Sequence, residues 1–297
     1  MNKTLKLIAS AVLAASLAAC SDSGAKQDSG ETANACNPHG YQITQLEAAQ
    51  LPLSLVDLDA AVINGNYALE AKLNETNPSI AIEEFDAETS VRRTNYVAIR
   101  EGDEDSDKIK ALVAAITSKD VASYIENTYR GAVIASFIDE NGNPVESSEI
   151  PNASGDDTTI TIGATAVPHA EILHDVLADT LMSHGWTLDV VEYTDYVQPN
   201  TALEAGDLDA NYFQTLGYLN TENADRGLHL KAAVGVHIEP MGVYSEEFKA
   251  LSELPDGASI GVPNDKDNYG RAIELLNALG LLNDAPVDPE QIKQING

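Results

Sequence analysis

The sequence predicts an α/β protein of two similar lobes, each a mainly parallel sheet flanked by helices, with a ligand cleft between the lobes. Three observations carry this. Beyond residue 40, short β-rich runs alternate with helical patterns, the order of strand–helix–strand units. Two segments occur twice. Ile162-Gly163, a loop and His169-Ala-Glu-Ile-Leu173 parallel Ile260-Gly261, a loop and Arg271-Ala-Ile-Glu-Leu275, while Leu58-Asp-Ala-Ala-Val-Ile-Asn64 parallels Leu208-Asp-Ala-Asn-Tyr-Phe-Gln214. Finally, 43% of the 297 residues are hydrophobic against 22% charged, enough apolar material for packed cores. Open α/β sheets bind ligands at strand ends, which places a site between the two repeats.

The elements follow in chain order. Lys3 and Lys6, an apolar run over 7–15 and Ser16-Leu17-Ala18-Ala19-Cys20 read as a lipoprotein signal peptide covering 1–19. The run is shorter than the ~20 apolar residues of a membrane span. Acylated Cys20 is then the expected membrane attachment, and Cys36 is left as a free thiol. Residues 20–40 are small and polar and form a flexible tether. Strands are expected over 60–63, 159–162, 188–192 and 259–262, and helices over 108–116, 169–181, 199–205 and 271–279. Gly206 and Gly280 stand where two of these helices stop. Residues 138–157 carry turn chemistry only and form a linker. The repeat beginning at Ser259 lacks a Leu-Asp-Ala half downstream, and the unclaimed half lies at Leu58, so the second lobe is split across the two ends of the chain.

Charge excludes partners. Lys and Arg number 17 against 47 Asp and Glu, a net charge of −30, which repels the phosphates of nucleic acid and of anionic lipid. The six histidines have no metal-ligand spacing, and Asp265-Lys-Asp-Asn-Tyr-Gly270 has the start of a calcium loop without its closing carboxylate. No nucleophile elbow or phosphate-binding glycine loop is present. The reading is therefore of a non-enzyme without cofactor, metal or catalytic residues.

Five motifs resemble one family. Val190-Val-Glu-Tyr-Thr-Asp-Tyr-Val-Gln-Pro-Asn200, Gly206-Asp-Leu-Asp-Ala-Asn-Tyr-Phe-Gln214, Val262-Pro-Asn-Asp265 with Arg271, Leu46-Glu-Ala-Ala-Gln-Leu-Pro52 and Ala61-Val-Ile-Asn-Gly-Asn-Tyr67 are similar to NlpA-type lipoproteins, the methionine-binding proteins of ABC importers. The resemblance implies a two-lobed, type II-like periplasmic-binding-protein fold. The order differs from the family's, in which the block at 158–297 precedes the block at 37–137, so the chain resembles a circular permutant. Its twenty-residue linker spans up to ~65 Å extended, ample to join the family's usual ends. On this reading 92–137 plus 158–243 form lobe A and 41–91 plus 244–297 form lobe B.

The resemblance also implies a site. Arg271, expected in the first turn of a helix that follows Asn268, would hold a ligand carboxylate bidentately. Asn64 and Asn268 or Asn211 would hold the ammonium, with Asn66 a weaker candidate. Tyr196 and Phe213 would wall the thioether side chain, with Tyr193 beside them. Thr215 stands where the family usually has histidine, which leaves methionine, a methionyl dipeptide or another small amino acid as the ligand. The implied protein is lipid-anchored to a bacterial membrane, exposed to the periplasm or the extracellular face, touches the membrane through its anchor alone and partners the membrane subunits of an ABC importer. The competing reading is a surface lipoprotein with an adhesion role.

Overall fold

In a computed structural model of the chain, the described residues are 34–139, 141–145 and 148–297. The expected signal peptide, Cys20 and residues 20–33 of the tether lie outside the described residues. The strands are β1 (Gln42–Leu46), β2 (Ala60–Ile63), β3 (Ala81–Ile82), β4 (Thr94–Arg100), β5 (Ile134–Ala135), β6 (Thr159–Thr165), β7 (Thr187–Tyr193), β8 (Ala210–Thr215), β9 (Leu230–Ile238), β10 (Gly242–Tyr244) and β11 (Ser259–Pro263). They form two sheets, ordered β1-β11-β2-β10-β3 and β5-β9-β4-β8-β6-β7. β1, β11 and β2 pair parallel with one another, as do β7, β6 and β8. β10, β4, β9 and β5 add antiparallel pairs, so the sheets are parallel at the repeats and mixed overall.

The repeats occupy equivalent places. Ile260 and Gly261 pair with Ala60 and Ala61 in the first sheet, and Ile162 and Gly163 pair with Ala210 and Asn211 in the second. A Cβ on Gly261 would lie 2.7 Å from Leu58 Cδ1, and one on Gly163 would lie 2.7 Å from Leu208 Cδ1. Each glycine makes room for the leucine that opens the neighbouring repeat. The aspartates that follow match too. Asp59 accepts from Ser259 N at 2.7 Å and Asp209 accepts from Thr161 N at 2.8 Å, each carboxylate tying its loop to the start of the adjacent strand.

The chain passes between the sheets over 83–93 and again over 239–241. These crossings are bonded to each other, Glu83 N donating to Met241 O at 2.9 Å and Met241 N to Glu83 Oε2 at 3.1 Å. Two short adjacent crossings between packed lobes are the elements of a hinge. Each sheet has its own core. Ile160 and Ile162 of the second sheet pack in one core with Leu112, Ile116, Leu173 and Leu177, and Val62, Ile260 and Val262 of the first in another with Ile273 and Leu276.

Several expectations shift. The helix expected over 271–279 is Lys266–Ala278, because Asp265 rather than Asn268 caps it, accepting from Asn268 N at 2.9 Å. Arg271 therefore lies in the second turn. The helical run expected over 169–181 contains wider, π-type turns at Ala166–Ala170 and Leu173–Leu177 before Ala178–Met182. Gly206 and Gly280 take φ of +86° and +72° behind their helices. Cys36 is corrected: it is buried and disulfide-bonded, not a free thiol. The sequence argument assigned the other cysteine, Cys20, to acylation first and so left Cys36 alone; Cys20 lies outside the described residues.

The C-terminal residues lie against the start of the described chain. Asn37 Nδ2 donates to Ile295 O at 3.0 Å, and Asn296 exchanges two hydrogen bonds of 2.9 Å with the backbone of Ile43. No helix among the described residues is long and apolar enough to cross a membrane.

Candidate functional site

The two crossings and the facing strand ends surround a small cavity. Asn64, Gly65 and Asn66 enter from the turn after β2, and Asn268 and Arg271 from the helix Lys266–Ala278. Phe213, Gln214 and Thr215 come from the end of β8, Tyr218 from the helix that follows, Tyr196 from the loop after β7, Asn95 from β4 and Glu239 from the second crossing. Gly65 is required here by space, since a Cβ would lie 2.9 Å from both Glu239 Cβ and Pro240 O.

Arg271 is buried to 3% exposure on the hinge. Burial opposes its charge, but Glu83, Asp267 and Glu239 outweigh this and hold its pKa above the ordinary value. Its Nε donates to both oxygens of Glu83 at 3.0 Å and its Nη2 donates to Glu83 and, at 3.1 Å, to the carbonyl of Glu239. The carboxylate that grips Arg271 bidentately is thus Glu83, and Arg271 joins both crossings. Its Nη1 carries none of these bonds. Close by, Arg93 Nη2 pairs with Glu274 at 2.8 Å and its Nη1 with Asp267 at 3.5 Å.

The amides are poised rather than saturated. Asn64 Nδ2 donates to Asn268 Oδ1 at 2.7 Å, and Asn268 Nδ2 donates to Asp265 at 3.0 and 3.1 Å. Asn66 Oδ1 accepts from the Tyr196 hydroxyl at 2.6 Å. Asn64 Oδ1, Glu239 Oε2, Asn66 Nδ2 and Asn95 Nδ2 are buried without hydrogen-bond partners. Orphaned buried polar atoms cost about 1–3 kcal/mol each, so four around one cavity mark a polar recognition surface. Across from them stand aromatics. Tyr196 lies 5.8 Å from Phe213 and 5.7 Å from Tyr218, and Tyr67 stacks on it at 5.0 Å. Burial pushes the Tyr196 hydroxyl well above its ordinary pKa, so it remains a neutral donor.

Of the residues named from sequence, Arg271, Asn268, Asn64, Asn66, Tyr196, Phe213 and Thr215 meet at this cavity. Thr215 also caps the helix Leu216–Arg226, accepting from Tyr218 N at 3.2 Å. Asn211 and Tyr193 are not brought to it. The Asn211 amide donates to Asn200 Oδ1 at 2.8 Å and accepts from Gln214 at 2.9 Å, a network inside lobe A. Tyr193 packs beside Leu208 and Leu203. Sequence reasoning missed Gln214, although the repeat aligns it with Asn64. It also missed Glu83, Asn95, Tyr218 and Glu239, whose positions depend on the crossings.

The NlpA lipoprotein family model matches residues 15–137 and 160–288. The chain belongs to the NlpA lipoprotein family. The match is broken at the linker, and all the cavity residues fall inside it. Among family relatives, the D-methionine-binding lipoprotein MetQ of Escherichia coli K12 is 42% identical over 113 residues, 38% of this chain and 41% of the relative. The methionine-binding lipoprotein MetQ of Bacillus subtilis is 41% identical over 124 residues, 41% of this chain and 45% of the relative. A lipoprotein of solved structure from Actinomyces odontolyticus is 51% identical, covering 42% of this chain and 52% of that one, with a TM-score of 0.40. In these alignments the chain spans less than half the length of the curated family relatives it matches.

Proposed function

We propose that this protein is an extracytoplasmic solute-binding lipoprotein that captures methionine, or a closely similar small amino acid, between its lobes and delivers it to an ABC importer. The observation that carries this is the set of unsatisfied atoms around the cavity. Asn64 Oδ1 and Glu239 Oε2 are unpartnered acceptors suited to an ammonium, and Asn66 Nδ2 and Asn95 Nδ2 are unpartnered donors suited to a carboxylate, with the Arg271 guanidinium lining the same cavity. A zwitterion satisfies both halves at once, and Tyr196, Phe213 and Tyr218 receive its side chain. A thioether against such rings gains roughly 0.3–1.5 kcal/mol per contact beyond burial. The names of the E. coli and B. subtilis relatives support methionine as the ligand.

We further propose one lobe of 92–137 plus 158–241, its two segments connected by the linker 138–157, and a second of 41–91 plus 242–297, β10 moving the expected boundary at 243 back to 241, with the two lobes joined by the crossings that Arg271 bridges. Ligand contacts from both lobes favour the closed state. The chain order is proposed to be a circular permutation of the family's; the bonds of Asn37 and Ile43 to Ile295 and Asn296 support it. Acylation of Cys20 is the proposed anchor. Mass spectrometry of ligand released from protein purified without dialysis should find methionine in near-stoichiometric amount. A different small molecule at that stoichiometry would replace methionine as the cargo.

A further inference from the structure

Beside the cavity, in the core of lobe A, three ligating side chains converge. His169, at the start of the helical run after β6, and His237, at the end of β9, are fully buried, and Glu239 is 5% exposed. Glu239 Oε1 lies 4.0 Å from His169 Nε2 and 3.9 Å from His237 Nε2. These separations are too long for hydrogen bonds, and His237 Nε2 and Glu239 Oε2 have no partners. The far nitrogens, by contrast, are held. His169 Nδ1 is 2.9 Å from the Thr165 hydroxyl, and His237 Nδ1 is hydrogen-bonded to the Tyr212 hydroxyl. With Nδ1–H given to the Tyr212 hydroxyl, the unpartnered His237 Nε2 lone pair faces the carboxylate; His169 Nε2 donates to Asn95 Oδ1 at 3.2 Å, and a metal ion that replaced this bond would shift the proton to Nδ1, where the Thr165 hydroxyl receives it.

We propose that His169, His237 and Glu239 form a binding site for one divalent transition-metal ion such as Zn²⁺. Two imidazoles and a carboxylate are a zinc-type donor set, leaving coordination positions toward Asn95, whose Oδ1 lies 3.2 Å from His169 Nε2 and which also lines the amino-acid cavity. The three ligand atoms lie within 4.8 Å of one another. Tetrahedral bonds of about 2.0–2.2 Å set two ligand atoms roughly 3.3–3.6 Å apart, so the set closes when each facing side chain moves by under ~1 Å. The site lies outside the amino-acid reading, apart from the shared Glu239 and Asn95, and metal occupancy is measured with no amino acid present.

The test uses protein stripped with chelator and desalted, then loaded with Zn²⁺ or Co²⁺. One Zn²⁺ per chain after gel filtration, and the strong visible bands of low-coordinate Co²⁺, are the expected results. His237→Gln should abolish both. Tyr212→Phe, which only removes the orienting hydroxyl, should weaken Zn²⁺ binding by roughly 10–100-fold. Thermal melting of the stripped variants shows that they fold. Absence of stoichiometric metal overturns the site. So does metal retained equally by folded His237→Gln, which would place it on exposed pairs such as His174 with Glu192 or His229 with Glu204.

Discussion

At the scale of single residues, charge on the cleft-side end of one helix sets the local pH response. Asp265 caps the helix Lys266–Ala278, yet burial pushes its pKa up to about 6, against the opposing pull of Asn268. A carboxyl whose pKa is raised on folding supports the fold fully while protonated, and that support is lost as pH rises through the folded value. Between pH 4 and just above 6 the wild-type protein should therefore lose stability relative to Asp265→Asn, which caps comparably and carries no charge. Melting temperatures of both proteins across that window check this; parallel curves would show that Asp265 ionises freely. Arg271 is the other decisive residue. From sequence it was legible as a cation near an anion site, but Glu83, 188 positions away, was not, because nothing local announces a partner brought in by a chain crossing.

At the scale of elements, the repeated strands carry a matched packing device. Gly163 and Gly261 each leave space for the leucine of the neighbouring repeat, so Gly163→Ala and Gly261→Ala should each destabilise the protein by about 1–3 kcal/mol, the usual cost of overpacking a filled core. Urea unfolding measures both, and a neutral effect at either would deny the equivalence of the lobes. The repeats themselves were readable because β2, β8 and β11 keep short apolar runs behind turn residues. β10 and β3, of three and two residues, were not, being defined by their neighbours rather than by their own pattern. The start of the Lys266 helix was misplaced for a related reason. Asp265 and Asn268 are both capping residues three apart, and only the fold shows which backbone donor each one meets. Asn211 shows the same limit at the site: its repeat was legible, but whether its amide faces the cavity or the Asn200 network depends on pleat and register.

At the scale of the whole molecule, the first and last strands of the described residues lie side by side in one sheet while the middle of the chain builds the other. A reordered chain that begins at residue 158, runs to Gly297, continues from Asn37 and ends before the linker should fold and melt within a few degrees of the original. An insoluble or molten product would contradict the permutation. The molecule's charge of −30 also narrows its cargo. A bare anion meets long-range repulsion, whereas a zwitterion does not, and the cavity supplies local donors and acceptors for both its ends. Closure around such a ligand is the central claim, and calorimetric titration of ligand-stripped protein with L-methionine tests it most directly. The account predicts one site per chain, weakened by Arg271→Ala by at least ~30-fold, the effect of losing about 2–5 kcal/mol when a buried charge pair is broken. No heat with methionine, any other amino acid or any dipeptide would contradict it.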